Sequence, residues 1–203
     1  MTAVGPPVRS VANLPNLLTI LRIVLIPVLV LLLLDPGRGD SLLAAFTFFL
    51  ACWSDFLDGF LARRYGLSTT LGKLLDPLAD KLIVMAALVM LAAMPREPRV
   101  PAWMVVLIVG RELAVTGLRA FAGGEGRVLA ADELGKYKTI FQMFALHGLL
   151  LHYPFLGVDF HTAGMYFLWI SLVLSLWSGT EYHVRVIRMT LQGRAEGREM
   201  LDV

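Results

Sequence analysis

The sequence predicts an all-α integral membrane protein with six transmembrane helices. Hydrophobic residues make up 57% of its 203 residues and charged residues only 17%, whereas about a quarter of the residues in a soluble domain are charged. The hydrophobic residues fall into runs of roughly 18 residues or more, the length that an α-helix needs to cross the hydrocarbon core of a bilayer. Segments rich in proline, glycine and charge separate the runs, as is typical of loops between helices.

Clusters of helix-breaking residues lie in four of the five connections between the six runs. The first run follows a predicted juxtamembrane helix at residues 9–16 and lacks the small-residue cleavage site of a signal peptide, so it is predicted to be retained. The predicted spans are residues 17–34, 41–62, 71–93, 101–121, 137–156 and 163–186. The breakers between them lie within residues 35–40, 95–101, 123–126 and 152–161. Because no internal repeat is visible, a single membrane domain is predicted for residues 1–203.

The positive charges predict the orientation of the spans. With alternating spans, three of the 18 lysines and arginines lie on one face (Arg38, Arg96 and Arg99), and the other fifteen lie on the face that carries both chain ends. Since loops rich in Lys and Arg stay in the cytoplasm, both termini are predicted to be cytoplasmic, with the protein in the inner cell membrane. The polar residues of every span then lie in the cytoplasmic half, around a cavity open to the cytosol. Such a cavity suits an enzyme that joins a water-soluble compound to a lipid.

Two pairs of aspartates interrupt the apolar pattern of the second and third spans. Asp55 and Asp58 are three residues apart, and Asp76 and Asp80 are four apart, so each pair shares one face of its helix. An ionisable group at membrane depth costs about 3 kcal/mol or more and usually has a function. Four convergent carboxylates predict a site for two divalent cations, Mg²⁺ or Mn²⁺, and therefore phosphate chemistry.

The residues near these aspartates suit a phosphate-bearing ligand. Gly59, Ala62 and Gly72 lack bulk, so two helix backbones can approach closely, or a flat nucleotide can lie against them. Arg63 adjoins the carboxylates and would pair with phosphate oxygens. Asp80, the last carboxylate of the array, is the candidate general base towards a hydroxyl group.

The spacing of these residues resembles the signature of the CDP-alcohol phosphatidyltransferase family. All eight positions of the pattern Asp-x2-Asp-Gly-x2-Ala-Arg-x8-Gly-x3-Asp-x3-Asp are filled, from Asp55 to Asp80. Three other segments look like the phosphatidylglycerophosphate synthase branch of that family: residues 13–22 with Pro27, residues 110–112 with 118–119, and residues 135–139 with Gln142. The resemblance runs from about residue 13 to residue 180. It assigns no role to residues 180–183, which include Glu181 and His183.

The resemblance implies a six-helix fold, a homodimer among membrane lipids, and transfer of a phosphatidyl group from CDP-diacylglycerol to sn-glycerol 3-phosphate with release of CMP. The metal ligands would be Asp55, Asp58, Asp76 and Asp80, with Asp80 also taking the proton of the acceptor. The CDP-lipid would contact Gly59, Ala62, Arg63, Thr69, Gly72, Asn16 and Thr19. A phosphate-bearing acceptor needs cations at the mouth of the cavity, and the available set is Arg111, Arg119, Lys136 and Lys138.

Other interpretations remain open from the sequence. The same chemistry would serve a different acceptor, namely phosphatidylglycerol (giving cardiolipin), inositol phosphate or serine. A divalent-cation transporter would also carry carboxylates inside the membrane, but such proteins often show repeated halves, and Arg63 would oppose a bare cation. Arg22, near the start of the first span, either extends to the membrane surface or serves a substrate.

Two features exclude other classes of protein. The net charge of +2 and the lack of a basic run argue against a nucleic-acid partner. The single cysteine, Cys52, excludes an internal disulfide and a cysteine-based metal site.

Overall fold

The computed structural model describes residues 14–65, 70–124, 133–155 and 157–199, which fold into six α-helices. These are α1 (Leu14–Leu32), α2 (Arg38–Tyr65), α3 (Thr70–Ala93), α4 (Ala102–Gly124), α5 (Glu133–Leu151) and α6 (Phe160–Glu199). Within the described ranges, the one β-type pairing is an isolated antiparallel bridge between Phe155 and Val158. The prediction of an all-α fold is therefore confirmed for these ranges.

The helix boundaries agree with the predicted spans except at the ends of α5 and α6. Helices α1 to α4 begin and end within three residues of the predictions. The prediction that the fifth span continues to residue 156 is wrong, because α5 ends at Leu151. His152 has a positive φ of 61°, and Tyr153 precedes Pro154, whose ring disfavours helical backbone in the residue before it.

Helix α6 continues to Glu199, well beyond the predicted end of its span at residue 186. Residues 187–199 contain three Arg, two Glu and one each of Met, Leu, Gln and Ala, all good helix formers, beside two Gly. Hydropathy indicates where a helix would leave the lipid, not where its hydrogen bonding stops. The added turns are a polar continuation of the same helix.

The helices differ in how well they meet the requirements of a membrane span. By length and composition, two segments of the described residues are long and apolar enough to cross a membrane: Arg38–Leu57 in α2 and Phe160–Met189 in α6. A shorter apolar helix covers Leu17–Leu32 in α1. The six-span arrangement therefore stays a prediction.

The chain divides into two compact units. The first contains α1, α2, α3 and residues 150–153, and the second contains α4, most of α5, and α6. Residues 9–13 of the predicted juxtamembrane helix lie outside the described residues, and residues 14–16 form the start of α1. The single domain over residues 1–203 stays a prediction.

In the first unit, α1 packs against both α2 and α3, and α2 also contacts α3. The fully buried apolar residues recur every three or four positions, so each helix buries one face: Leu29 of α1 and Leu33 directly after it, Ala44, Phe48 and Ala51 of α2, and Ile83, Ala87 and Leu91 of α3. Arg22 precedes Leu29 by seven residues and therefore lies on the buried face of α1. The guanidinium group of Arg22 is therefore buried inside the first unit.

One end of the first unit is held by side chains from three segments. Arg96, which follows α3, donates a hydrogen bond to Ser41 Oγ in the first turns of α2. Two guanidinium groups lie over the ring of Tyr153, that of Arg38 at 5.2 Å and that of Arg96 at 5.6 Å from its centre. Burial lowers the pKa of Arg96, and its interaction with Tyr153 opposes that shift. Cation–π contacts thus join the start of α2 to the residues after α3 and α5.

In the second unit, α4 packs against α6, and α5 meets α6 where two glycines face each other. A Cβ atom on Gly164 would lie 2.8 Å from the backbone nitrogen of Leu149 and 3.0 Å from the carbonyl oxygen of Ala145. A Cβ atom on Gly148 would lie 2.9 Å from the carbonyl oxygen of Phe160. Because the helix backbones are this close, the crossing requires residues without a side chain.

Helix α6 begins at a capping aspartate. Asp159 accepts hydrogen bonds from the backbone nitrogen of Thr162 at 3.2 Å and from its hydroxyl group at 2.6 Å. These hydrogen bonds hold the pKa of the Asp159 carboxyl below its usual range. The cap satisfies a backbone donor of the first turn, which explains where the helix starts.

We expect Gly164→Ala to destabilise the protein by about 1–3 kcal/mol, because the new methyl group must push two backbones apart. Gly117→Ala in α4 is the matched control, since no atom lies within 4 Å of the added Cβ. It should be neutral or stabilise by up to about 1 kcal/mol through helix propensity. The measurement is equilibrium unfolding of the purified protein in detergent. Equal effects of the two substitutions would contradict the close crossing.

Candidate functional site

Two of the four predicted metal-binding aspartates lie close to the same side chain. Asp55 of α2 and Asp80 of α3 both act electrostatically on the thiol of Cys52, which precedes Asp55 by three residues on α2. The side chain of Asp55 is 44% exposed, and Asp80 is half-buried. The packing of α2 and α3 therefore brings carboxylates from both halves of the signature to one region of the first unit.

Helix α1 adds a cation to this region. Arg22 has no exposed side-chain surface, and its Nη2 atom lies 3.2 Å from Asp55 Oδ1. Its charge also acts on Cys52. This burial rules out the interpretation that Arg22 extends to the membrane surface. Thr19, one turn earlier on α1, is also buried, with 1% of its surface exposed.

The rest of the signature is described by its backbone alone or lies outside the described residues. Helix α2 is unbroken through the positions of Asp58, Gly59, Ala62 and Arg63, and α3 is unbroken through those of Gly72 and Asp76. Asn16 lies in the first turn of α1, and Thr69 falls outside the described residues. Among the side chains that the structure describes, no three of His, Cys, Asp and Glu form a metal-binding group. The four-aspartate site stays a prediction.

The described part of the site fits a hard divalent cation. Asp55 and Asp80, the two predicted ligands whose side chains are described, are carboxylates, and oxygen donors suit Mg²⁺ and Mn²⁺. The exposure of Asp55 leaves its carboxylate accessible to water, and Asp80 approaches from a second helix. Asp55 and Asp80, with Asp58 and Asp76 on the same helices, would hold the ions.

The second unit contains a separate group of buried charges. Glu112 Oε1 accepts a hydrogen bond from Arg111 Nη1 at 2.8 Å and another from Lys138 Nζ of α5. The three side chains are largely buried: 12% of Arg111, 18% of Glu112 and 6% of Lys138 is exposed. With two cations and one carboxylate, the group has a net charge of about +1 at neutral pH.

Arg111 is also held by the backbone and side chains of α6. Its Nε donates to the carbonyl oxygen of Ser175 at 2.9 Å, and its Nη2 donates to Ser178 Oγ at 2.6 Å. Gly179 makes room for this side chain, because a Cβ there would lie 3.0 Å from Arg111 Cγ and Nε. Arg111 therefore joins α4 to α6 through two hydrogen bonds.

The four cations predicted for the acceptor occupy different surroundings. Arg111 and Lys138 meet at Glu112. Arg119 lies over the ring of buried Tyr182, 5.6 Å from its centre. Lys136 is 67% exposed and lies 3.7 Å from Glu133, its i,i−3 neighbour. The structure thus brings two of the four together, and their binding role stays a prediction.

Sequence reasoning assigned no role to Glu112, the partner shared by two of these cations. A signal was available, because a carboxylate in a predicted span requires a cation nearby. Glu181 and His183 also had no role. Glu181 forms an exposed ion pair with Arg185. His183 Nδ1 lies 2.7 Å from the carbonyl oxygen of Gly179.

A groove of about 430 Å³ lies between α4 and α6 of the second unit. Apolar residues such as Leu107 and Leu176 line one part, and Arg111, Thr180 and His183 line another. The groove therefore combines apolar and polar surface along the same two helices.

The sequence matches one protein family over most of its length. A sequence profile described as CDP-alcohol phosphatidyltransferase matches residues 12–177. Similar bacterial proteins carry the name CDP-diacylglycerol–glycerol-3-phosphate 3-phosphatidyltransferase. The relative from Bacillus subtilis is 45% identical over 183 residues, covering 84% of this chain and 93% of its own. Those from Rickettsia typhi and Escherichia coli K12 are 40% and 37% identical, covering 84% of this chain and 94% and 92% of their own.

We expect Glu112→Gln to destabilise the protein by about 3–5 kcal/mol, because it leaves two buried cations without a countercharge. Glu181→Gln is the matched control, since that ion pair is 38–46% exposed and should contribute less than about 1 kcal/mol. Equilibrium unfolding in detergent measures both. If Glu112→Gln lowered the free energy of unfolding no more than the control does, Glu112 would not stabilise the protein by neutralising buried cations.

Proposed function

Because the chain belongs to the CDP-alcohol phosphatidyltransferase family, we propose that it is a CDP-diacylglycerol-dependent phosphatidyltransferase of phospholipid biosynthesis. It transfers the phosphatidyl group to sn-glycerol 3-phosphate and releases CMP. Similarity over nearly the whole chain supports this reaction most strongly: the relatives named for it align with 84% of this chain at 37–45% identity. The region matched by the family profile, residues 12–177, contains the complete acidic signature.

The protein lies in the inner cell membrane with six spans, and both termini and the active site face the cytoplasm. The distribution of lysine and arginine supports the orientation. Every described helix also exposes large apolar side chains, including Leu31 at 67%, Val106 at 68% and Trp177 at 68% exposure. A soluble protein rarely leaves so much apolar surface in water, whereas lipid is a suitable solvent for it.

The proposed reaction is a direct displacement on the β-phosphorus of the CDP-lipid. The acceptor's primary hydroxyl forms the new P–O bond, the bond to CMP breaks, and CMP carries away the displaced oxygen. Asp80 is proposed to accept the hydroxyl proton, since its half-buried carboxylate lies at the end of the acidic array. Bound Mg²⁺ or Mn²⁺ would neutralise charge on the diphosphate oxygens. The eight signature positions include no Ser, Cys or His, so no covalent enzyme intermediate is invoked.

The substrate-binding residues are assigned by family resemblance. The CDP-lipid is proposed to contact Gly59, Ala62, Arg63, Thr69, Gly72, Asn16 and Thr19. The phosphate of the acceptor is proposed to bind among Arg111, Arg119, Lys136 and Lys138. The net positive charge of the Arg111–Glu112–Lys138 group supports an anionic acceptor. A homodimer is also proposed, because the family resemblance implies one.

An acceptor assay tests the reaction. Purified protein with CDP-diacylglycerol and Mg²⁺ is offered sn-glycerol 3-phosphate, phosphatidylglycerol, inositol phosphate or serine separately, and lipid products are separated by thin-layer chromatography. We expect phosphatidylglycerophosphate and CMP with the first acceptor alone. Turnover with another acceptor instead would mean that this acceptor, not sn-glycerol 3-phosphate, is the substrate. Metal uptake by proteoliposomes without CDP-lipid would favour a transporter.

We expect Asp80→Asn to lower the rate of CMP release by about 10²-fold or more, because it removes both the general base and one metal ligand. Asp159→Asn is the control, since Asp159 is an exposed helix cap far from the signature in sequence; its activity should stay within about twofold of the wild type. Near-normal turnover by Asp80→Asn would exclude Asp80 as the base.

Removing divalent metal should abolish turnover. We expect EDTA to stop CMP release and added MgCl₂ or MnCl₂ to restore it, because the carboxylates alone would repel the diphosphate. CMP is measured directly in the soluble fraction. Full activity after exhaustive chelation would contradict the metal-dependent mechanism.

A further inference from the structure

We propose that Arg22 is a positioning residue for the metal site, which orients the carboxylate of Asp55 for cation binding. The inference rests on the proposed function, in which Asp55 is a metal ligand. The family signature begins at Asp55 and contains no residue of α1. The ion pair between Arg22 and Asp55 therefore adds a third helix to the site.

The burial of the two partners differs. Arg22 has no exposed side-chain surface, whereas 44% of the Asp55 side chain is exposed. A buried guanidinium group loses its hydration and must interact with opposite charge nearby. Thr19 and Leu29, on the same face of α1, are buried as well. A buried cation thus contacts a carboxylate that is partly exposed to solvent.

The contact is suited to orienting the carboxylate without covering it. The ion pair joins one guanidinium nitrogen, Nη2, to one carboxylate oxygen, Oδ1, at 3.2 Å. An ion pair with one oxygen restricts the rotamer of an aspartate and leaves the rest of its exposed carboxylate accessible. Partners of this kind, behind a ligating carboxylate, raise metal affinity because they reduce the disorder of the ligand.

Arg22 also changes the electrostatics of the site before metal binds. Arg22, Asp55 and Asp80 all act on Cys52, so the cation lies on the same side of the unit as both described carboxylates. Like charges brought together destabilise one another, and a nearby guanidinium offsets that repulsion. Arg22 therefore offsets part of the repulsion between carboxylates that the proposed site brings together.

A competing role for Arg22 predicts the opposite change in metal affinity when its charge is removed. If Arg22 merely occupied the oxygen that a metal ion needs, removing its positive charge would increase metal affinity. If it positions Asp55, removing it lowers the affinity. The direction of the change in the Mg²⁺ midpoint distinguishes these roles.

The test is a MgCl₂ titration of the full-length protein in detergent, without CDP-lipid, following thermal stability. We expect Arg22→Met to raise the Mg²⁺ concentration at half-maximal stabilisation by about 10- to 100-fold. Arg22→Lys should raise it severalfold, because lysine keeps the charge but lacks the planar guanidinium group. Arg99→Met, which removes an exposed arginine paired with Glu97, should leave the midpoint unchanged.

An unchanged or lower midpoint in Arg22→Met would overturn the proposal. If that variant does not fold, Arg22→Lys decides by the same criterion. The proposed function is judged separately from wild-type turnover and the wild-type response to MgCl₂. Suppose that the wild type transfers the phosphatidyl group and is stabilised by Mg²⁺, and that the Arg22 variants have the same Mg²⁺ midpoint as the wild type. This result refutes the role of Arg22 but not the proposed function. A wild type that neither reacts nor responds refutes both.

Discussion

The free-energy cost of burying a charge among apolar helices is the constraint on which this structure depends. Each compact unit buries a cation, Arg22 in the first and Lys138 in the second, and each cation meets a carboxylate from a different helix. Apolar faces tolerate small changes in packing, but a displaced charge pair leaves a buried charge without compensation. The charge pairs therefore help specify how α1 aligns with α2 and how α4 aligns with α5.

The packing of the helices reverses the usual distribution of polar and apolar residues. Serines 171, 175 and 178 of α6 are buried, while Val106 and Trp177 are more than half exposed. In lipid, helices gain little by hiding apolar side chains, and close contact between small residues becomes more important. The crossing of α5 and α6 at Gly148 and Gly164 is an example. The fold and the proposed membrane location are consistent with each other for this reason.

The two charge groups also suit the proposed chemistry in different ways. The aspartates of the first unit would provide oxygen ligands for divalent cations, and Arg22 places a buried positive charge beside Asp55. In the second unit, Glu112 neutralises one of two buried cations and leaves a net positive charge, which favours an anion. Each group by itself therefore matches the charge of its proposed ligand: divalent cations for the aspartates and a phosphorylated alcohol for the cations.

Local patterns in the sequence were enough to predict the all-α class, the limits of α1 to α4, and the pairs of aspartates on shared helix faces. These features depend on hydropathy over about 18 residues and on a period of 3.6 residues, both of which can be read along a single segment. The end of α5 was misjudged, because the conformation of His152 and the effect of Pro154 outweighed its apolar composition. The tertiary structure alone decided that Arg22 pairs with Asp55, 33 residues later, and that Glu112 accepts hydrogen bonds from both Arg111 and Lys138. Such pairs depend on how separate helices align and rotate against one another, which no local pattern encodes.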